Sequence, residues 1–190
     1  YPPTHKNDVV DQYFGTKVAD PYRWLEEENS PKTKEWIEIQ SKFASEYLEA
    51  IPFRTKIKKR IEELWNYPKY SAPQKVGNYY LFSKNDGLQP QFVVYIQEGL
   101  SGSPRVLLDP NTFSAEGTVS LGGIYPSNDG QYLAYAVQKS GSDWREFHVI
   151  ELATGKKLED QIKWAKFSGA AWWKNGFFYS RFDQPEQDAF

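Results

Sequence analysis

Gly77-Asn78-Tyr79-Tyr80-Leu81-Phe82, Asp129-Gly130-Gln131-Tyr132-Leu133-Ala134-Tyr135 and Asn175-Gly176-Phe177-Phe178-Tyr179 repeat one device: a glycine turn that launches a short aromatic strand. The three glycines stand 53 and then 46 positions apart. A recurrence near ~50 residues, built from strands alone, marks a β-propeller blade. Such blades close a ring at roughly four to eight copies. Residues 67–190 hold roughly two and a half of them, so further blades are expected downstream in sequence.

Working outward from the repeat, the period of two extends over candidate strands 79–84, 92–97, 105–108, 132–138, 145–152 and 177–182. Turn chemistry separates them at Asn85-Asp86-Gly87, Asp109-Pro110-Asn111, Ser127-Asn128-Asp129-Gly130 and Ala153-Thr154-Gly155-Lys156. Glycine supplies positive φ there, and Asn or Asp tolerates it. Gly122-Gly123 reads as a further turn pair. Asp183-Gln184-Pro185-Glu186-Gln187-Asp188 reads as a polar surface loop.

Before Tyr67-Pro68 the texture differs. After an extended start, Asp20-Pro21 reads as an N-cap and first-turn proline for a short helix, and Ser30-Pro31 repeats the pattern. Trp36, Ile39, Phe43 and Tyr47 then recur at three- and four-residue spacing, as do Phe53, Ile57, Ile61 and Leu64 after Pro52. The organisation is therefore a helical segment, 1–66, followed by blades, 67–190. The helices carry apolar stripes that need a surface to cover them, and the blades have open faces. The whole is expected to be the front part of something longer.

Composition narrows the function. The 190 residues carry a net charge of −2, which gives no attraction for nucleic acid. Lys56, Lys58, Lys59 and Arg60 are most simply a solvated helix face. No run approaches the ~18 apolar residues of a membrane span. With no cysteine, thiol nucleophiles and thiolate metal sites are excluded, while the compartment stays open between the cytoplasm and a bacterial periplasm. Aromatics make up 17% of the chain, a fraction that suits half-buried strands.

Catalytic signals are missing. No Gly-x-Ser-x-Gly elbow occurs; Gly99-Leu100-Ser101-Gly102-Ser103 ends in serine. The two histidines, His5 and His148, lie far apart, and His148 reads as a structural strand residue. No metal-binding spacing or phosphate loop is present, so no cofactor is expected.

Particular words carry more. Asp20-Pro21-Tyr22-Arg23-Trp24-Leu25-Glu26, Tyr67-Pro68-Lys69-Tyr70-Ser71, Asp86-Gly87-Leu88-Gln89, Leu108-Asp109-Pro110-Asn111, Ser140-Gly141-Ser142-Asp143-Trp144 and Lys166-Phe167-Ser168 run in order between Tyr13-Phe14-Gly15 and Gly176-Phe177-Phe178-Tyr179. Together they resemble the N-terminal portion of the prolyl oligopeptidase (prolyl endopeptidase) family. The resemblance implies an N-terminal helical segment that packs on an α/β-hydrolase domain not contained in this sequence. The first two to three blades of a seven-bladed β-propeller follow. It implies a serine endopeptidase that cleaves short peptides after proline, monomeric when intact, with a propeller that restricts access to small peptides. The Ser-Asp-His triad has no matching positions here, so the chain alone is expected to be inactive.

Two site residues follow from the same resemblance. Phe167 matches an aromatic that lines the apolar part of the family's substrate pocket; otherwise it is a blade-packing aromatic. Asp143 matches an acidic residue near the peptide's amino end; otherwise it is a turn-forming Asp. The expected partners are short proline-containing peptides and the remainder of the same polypeptide. The rival reading is a non-catalytic β-propeller module that assembles with partner chains.

Overall fold

The computed structural model describes residues 1–183. Residues 184–190, which hold most of the expected polar loop, lie outside the described residues. The chain divides into two units, Tyr1–Glu63 and Leu64–Phe190.

The first unit opens with an antiparallel hairpin, β1 (Val10–Tyr13) and β2 (Thr16–Ala19). Helices α1 (Pro31–Glu49) and α2 (Arg54–Trp65) follow. Ser30 caps α1 as its sequence requires: its Oγ accepts the Thr33 N–H at 3.1 Å, and Pro31 occupies the first turn. Asp20-Pro21 behaves otherwise. The short 3-10 turn begins at Arg23, with Tyr22 before it and no side-chain cap. Asp20 Oδ1 accepts the Tyr22 N–H at 3.3 Å, its Oδ2 accepts from Arg23 Nε at 2.6 Å, and Arg23 also binds Asp11. The charge-assisted bond to the guanidinium is the shorter and stronger of the two Asp20 makes.

The Arg23 bond holds the Asp20 carboxyl below the usual carboxylate range. Residues 1–5 run beside α1. The Trp36 indole donates to the Thr4 hydroxyl at 2.9 Å, and the Tyr1 and Phe43 rings meet at 5.5 Å. No apolar side chain of residues 1–63 is buried, and Phe53, Ile57 and Ile61 are half exposed or more.

The second unit is built of blades. In the first blade the edge beside β5 (Tyr79–Asn85) is shared by β3 (Lys69–Tyr70) and β4 (Gln74–Val76), both paired antiparallel with it. Then come β6 (Val93–Glu98) and β7 (Arg105–Leu108). The second blade is a complete meander of β8 (Val119–Pro126), β9 (Tyr132–Lys139), β10 (Trp144–Glu151) and β11 (Lys157–Lys166). A third begins with the hairpin β12 (Ala171–Trp173) and β13 (Gly176–Phe178). The recurring glycines occupy one place in all three: between β4 and β5, between β8 and β9, and at the start of β13.

Besides the short strands β1–β4 and β12, two long strands escape the sequence pattern. β8 contains Gly122-Gly123, which form a bulge and not a turn: Leu121 pairs with Val137 and Gly123 with Ala136, leaving Gly122 as the extra residue. β11 is an outer strand with only Ala165 buried, so it lacks an apolar alternation. β13 closes at Phe178, short of the expected 177–182, although Arg181 bridges to Ala165.

Strand β9 sets the packing. Leu133, Tyr135 and Val137 meet Val76, Leu81, Val94, Ile96 and Leu108 of the first blade, with Ile150 and Leu152 beside them. Ala134 and Ala136 point the other way, toward Phe147, Ala165, Trp172 and Phe177. Period-two geometry sends successive residues to opposite faces, so one strand serves two interfaces. Hydrogen bonds add a tie. Gln91, just before β6, donates through Nε2 to Val119 O at 2.8 Å and accepts from Leu121 N at 3.1 Å. Arg105 on β7 donates to the carbonyls of Leu152 and Ala153.

The repeat glycines also touch. Gly130 has φ +71°, and a Cβ there would stand 3.0 Å from Gly77 Cα. Gly141 has φ +73° with open space around it. Gly141→Ala should therefore cost only the left-handed penalty of roughly 1–2 kcal/mol. Gly130→Ala should cost a further ~1–3 kcal/mol from overpacking. Chemical denaturation of the two variants compares them, and equal losses would show that the blades are not in backbone contact at these turns.

Candidate functional site

The open ends of β10 and β11 gather the chemistry of the second blade. Trp144, first in β10, pairs with Lys166, last in β11. Asp143 precedes the one and Phe167 follows the other, so the two residues singled out from sequence flank a single cross-strand pair.

Phe167 is 77% exposed and is not packed into the blade. Its φ of 51° puts it in the left-handed region, which is costly for a residue with a Cβ. Ser168, which follows, is buried and pinned. Its Oγ accepts the Ser180 N–H at 2.8 Å, and its carbonyl accepts from Arg145 at 3.3 Å. The ring is thus presented by a turn whose next residue is fixed. Asp143 is exposed. The turn's side-chain bond belongs to Ser142, whose Oγ accepts the Trp144 N–H at 3.1 Å. Asp143 is therefore not the residue that makes the turn.

Beside this pair lies a pocket of about 170 Å³ whose walls include Ser142, Trp144, Glu146, Lys163 and Trp164. A β-bulge shapes it. Ala165 pairs with Arg145 and Ile162 with Phe147, so Lys163 and Trp164 together oppose Glu146. Trp164 takes φ 64° to do so. The two indoles stand edge to face, centroids 5.9 Å apart at 90°, and Phe182 packs edge-on to Trp144 at 5.4 Å. Lys166 Nζ lies 5.2 Å from the Trp144 ring centroid and 5.4 Å from that of Phe167, a cation–π bridge between the rings. Both oxygens of Glu146 are engaged: Oε1 accepts from Lys139 at 2.8 Å and Oε2 from Gln161 at 2.9 Å. The bond from Lys139 holds its carboxyl below the usual range, against the opposing effect of burial.

Trp164, Lys163 and the bulge were not singled out from sequence. Their signal is weak, because Lys157–Lys166 is largely polar and a bulge breaks whatever alternation remains. His148 sits within the blade, 8% exposed, its ring 5.4 Å from that of Tyr135 and its Nδ1 without a hydrogen-bond partner. Among the described residues no three metal-ligating side chains come together.

Residues 2–189 match a family model described as the prolyl oligopeptidase N-terminal beta-propeller domain. The chain is 45% identical over 188 residues to a prolyl endopeptidase of Elizabethkingia meningoseptica, covering 98% of this chain and 26% of that relative. A solved structure from a study of two prolyl endopeptidases and the role of their inter-domain dynamics superposes with a TM-score of 0.86 at 35% identity. The match covers 95% of this chain and 27% of that one. Prolyl oligopeptidase B from Galerina marginata, bound to a 25mer macrocyclization substrate, gives 0.80 at 30% identity, covering 99% and 30%. The chain thus spans about a quarter of the length of the relatives it matches.

Acid should loosen the second blade through His148. Burial pushes its imidazole pKa down from the ordinary 6.5, the nearby Lys157 and Lys139 push the same way, and Glu146 opposes them. Tyr135 and Gln161 are its cross-strand partners. A base with a depressed folded pKa contributes stability that is whole above about pH 6.5 and lost as pH falls through the lower folded value. The urea midpoint should fall between roughly pH 7.5 and 5, and less so in His148→Phe. Identical pH slopes for the two proteins would remove His148 from this role.

Proposed function

The chain belongs to the prolyl oligopeptidase family, as its N-terminal β-propeller portion, and from that premise we propose that it is part of a serine endopeptidase that cleaves short peptides on the carboxyl side of proline. In this reading, residues 1–66 pack on an α/β-hydrolase domain and residues 67–190 begin the propeller. The hydrolase domain supplies the nucleophile, the base and its orienting carboxylate, together with the donors that stabilise the developing oxyanion. This chain supplies substrate contacts and part of a barrier that admits only small peptides, a form of gating by enclosure.

The observation that carries the reading is the family match across essentially the whole chain at 45% identity to a prolyl endopeptidase. The absence of any buried apolar side chain in residues 1–63 suits a segment that docks on a further domain. Phe167 supports a substrate role by its exposure and its left-handed backbone, since strain of this kind clusters at functional sites. Its ring would offer the flat apolar wall that a pyrrolidine prefers. The Asp143 carboxylate would favour a peptide's cationic amino terminus.

The full-length protein should cleave a chromogenic Gly-Pro substrate, and the 190-residue chain alone should not. Losing the Phe167 ring removes roughly 1.5 kcal/mol of burial, so Phe167→Ala should lower kcat/KM about ten-fold. Asp143→Asn should lower it about three- to five-fold for peptides with a free amino terminus and leave acetylated ones unchanged. A full-length protein without prolyl peptidase activity would refute the proposal.

A further inference from the structure

The pocket between Trp144 and Trp164 is adjacent to the Asp143–Phe167 pair yet distinct from it. Ser142 and Trp144, the two neighbours of Asp143, both line it. The Trp144 ring shares the Lys166 ammonium with Phe167. A peptide lying over Phe167 with its amino end at Asp143 therefore passes the pocket.

The charges around this pocket are unbalanced. Lys163 is in the wall and Lys166 rests on the indole of Trp144. Neither makes an ion pair with a carboxylate among the described residues. The one carboxylate in the wall, Glu146, has both oxygens occupied by Lys139 and Gln161. Glu146 already pairs with Lys139, so its single charge is shared between that lysine and the nearby Lys163, and the cations of the wall outnumber the carboxylate. The rest of the wall is Val137, Ser142 and the two indoles, with Lys139 paired to Glu146 and Arg145 donating to the Ser168 carbonyl. The Lys166 ammonium, held against aromatic surface, is partly desolvated, which strengthens its attraction for an anion relative to open water.

We propose that this pocket is a side-chain subsite for a glutamate or aspartate near the amino end of the peptide substrate. The methylene stem lies against Trp144 and Trp164, and the carboxylate pairs with Lys163 and Lys166. The bulge is what makes the subsite possible, since a regular β11 would place a single residue opposite Glu146 where Lys163 and Trp164 now stand. Asp143 completes the selection from the other side. It repels a second acidic group at the amino end and accepts the terminal ammonium, so the favoured peptide carries a positive terminus followed closely by one negative side chain. The proposal rests on the peptidase reading above.

The test is a set of prolyl peptides in which a single Glu is moved over the two to four residues before proline, each compared with its Gln counterpart on the full-length protein. At one position Glu should be preferred about three- to five-fold in kcat/KM at low salt. The preference should shrink toward one in about 0.5 M salt. In Lys163→Ala/Lys166→Ala the ratio should fall to about one, and in Lys166→Glu it should invert. A ratio of one at every position, or a ratio the lysine variants do not change, overturns the subsite while leaving the peptidase reading intact. If no prolyl peptide is cleaved, that reading has failed. Isothermal titration of the same Glu and Gln peptides then decides the subsite by itself: tighter Glu binding that the double variant abolishes supports it, and equal binding rejects it.

Discussion

A blade is a sheet with two faces, and both must be covered. In this chain β9 carries that requirement almost alone. Leu133, Tyr135 and Val137 are large and fill the space toward the first blade, while Ala134 and Ala136 are small and admit Trp172 and Phe177 from the third. Each fully buried aliphatic side chain contributes roughly 1.5–3 kcal/mol, so the alternation of large and small residues is an energetic arrangement as well as a geometric one. A one-residue slip would send the alanines to the wide interface and the large residues to the narrow one. Gln91 and Arg105 resist such a slip by fixing backbone carbonyls across the same junction.

The candidate site depends on this order. Arg145 and Ser168 are held by a blade whose centre is closed, and they in turn fix the turn that exposes Phe167. The bulge at Lys163–Trp164 is the complementary irregularity, opening the pocket where an unbroken strand would have closed it. Regular strands thus supply rigidity, and two left-handed residues, Trp164 and Phe167, supply the surface features. The local backbone cost is sustained by the surrounding sheet.

Much of this was legible in the sequence, for identifiable reasons. The Ser30-Pro31 cap, the stripes of α1 and α2, and the glycine-launched strands β5 and β9 all express local rules, and the glycine spacing revealed the blades. β8 was hidden because Gly122-Gly123 imitates a turn while serving as a bulge. β11 was hidden because an outer strand needs few apolar residues. Asp20 looked like a helix cap because its strongest partner, the Arg23 guanidinium that it shares with Asp11 of β1, is assembled only by the fold. Asp143 and Phe167 were named through family resemblance. Their placement about one cross-strand pair, and the pocket beside them, depend on strand register and on a bulge that periodicity does not reveal.

The first junction between blades has a temporal meaning. Every buried residue of its core lies between Val76 and Leu152. Among the described residues none after Leu152 belongs to it, so this junction can form during synthesis once Leu152 has left the ribosome, with N-terminal parts folding first. The exposed Tyr70 and Val106, with the partly buried stack of Phe82 and Tyr95, then remain at the surface of the growing protein. The nascent propeller would thus carry an adhesive flank throughout the translation of whatever covers it, and shielding that flank is the demand this architecture makes on its cellular surroundings.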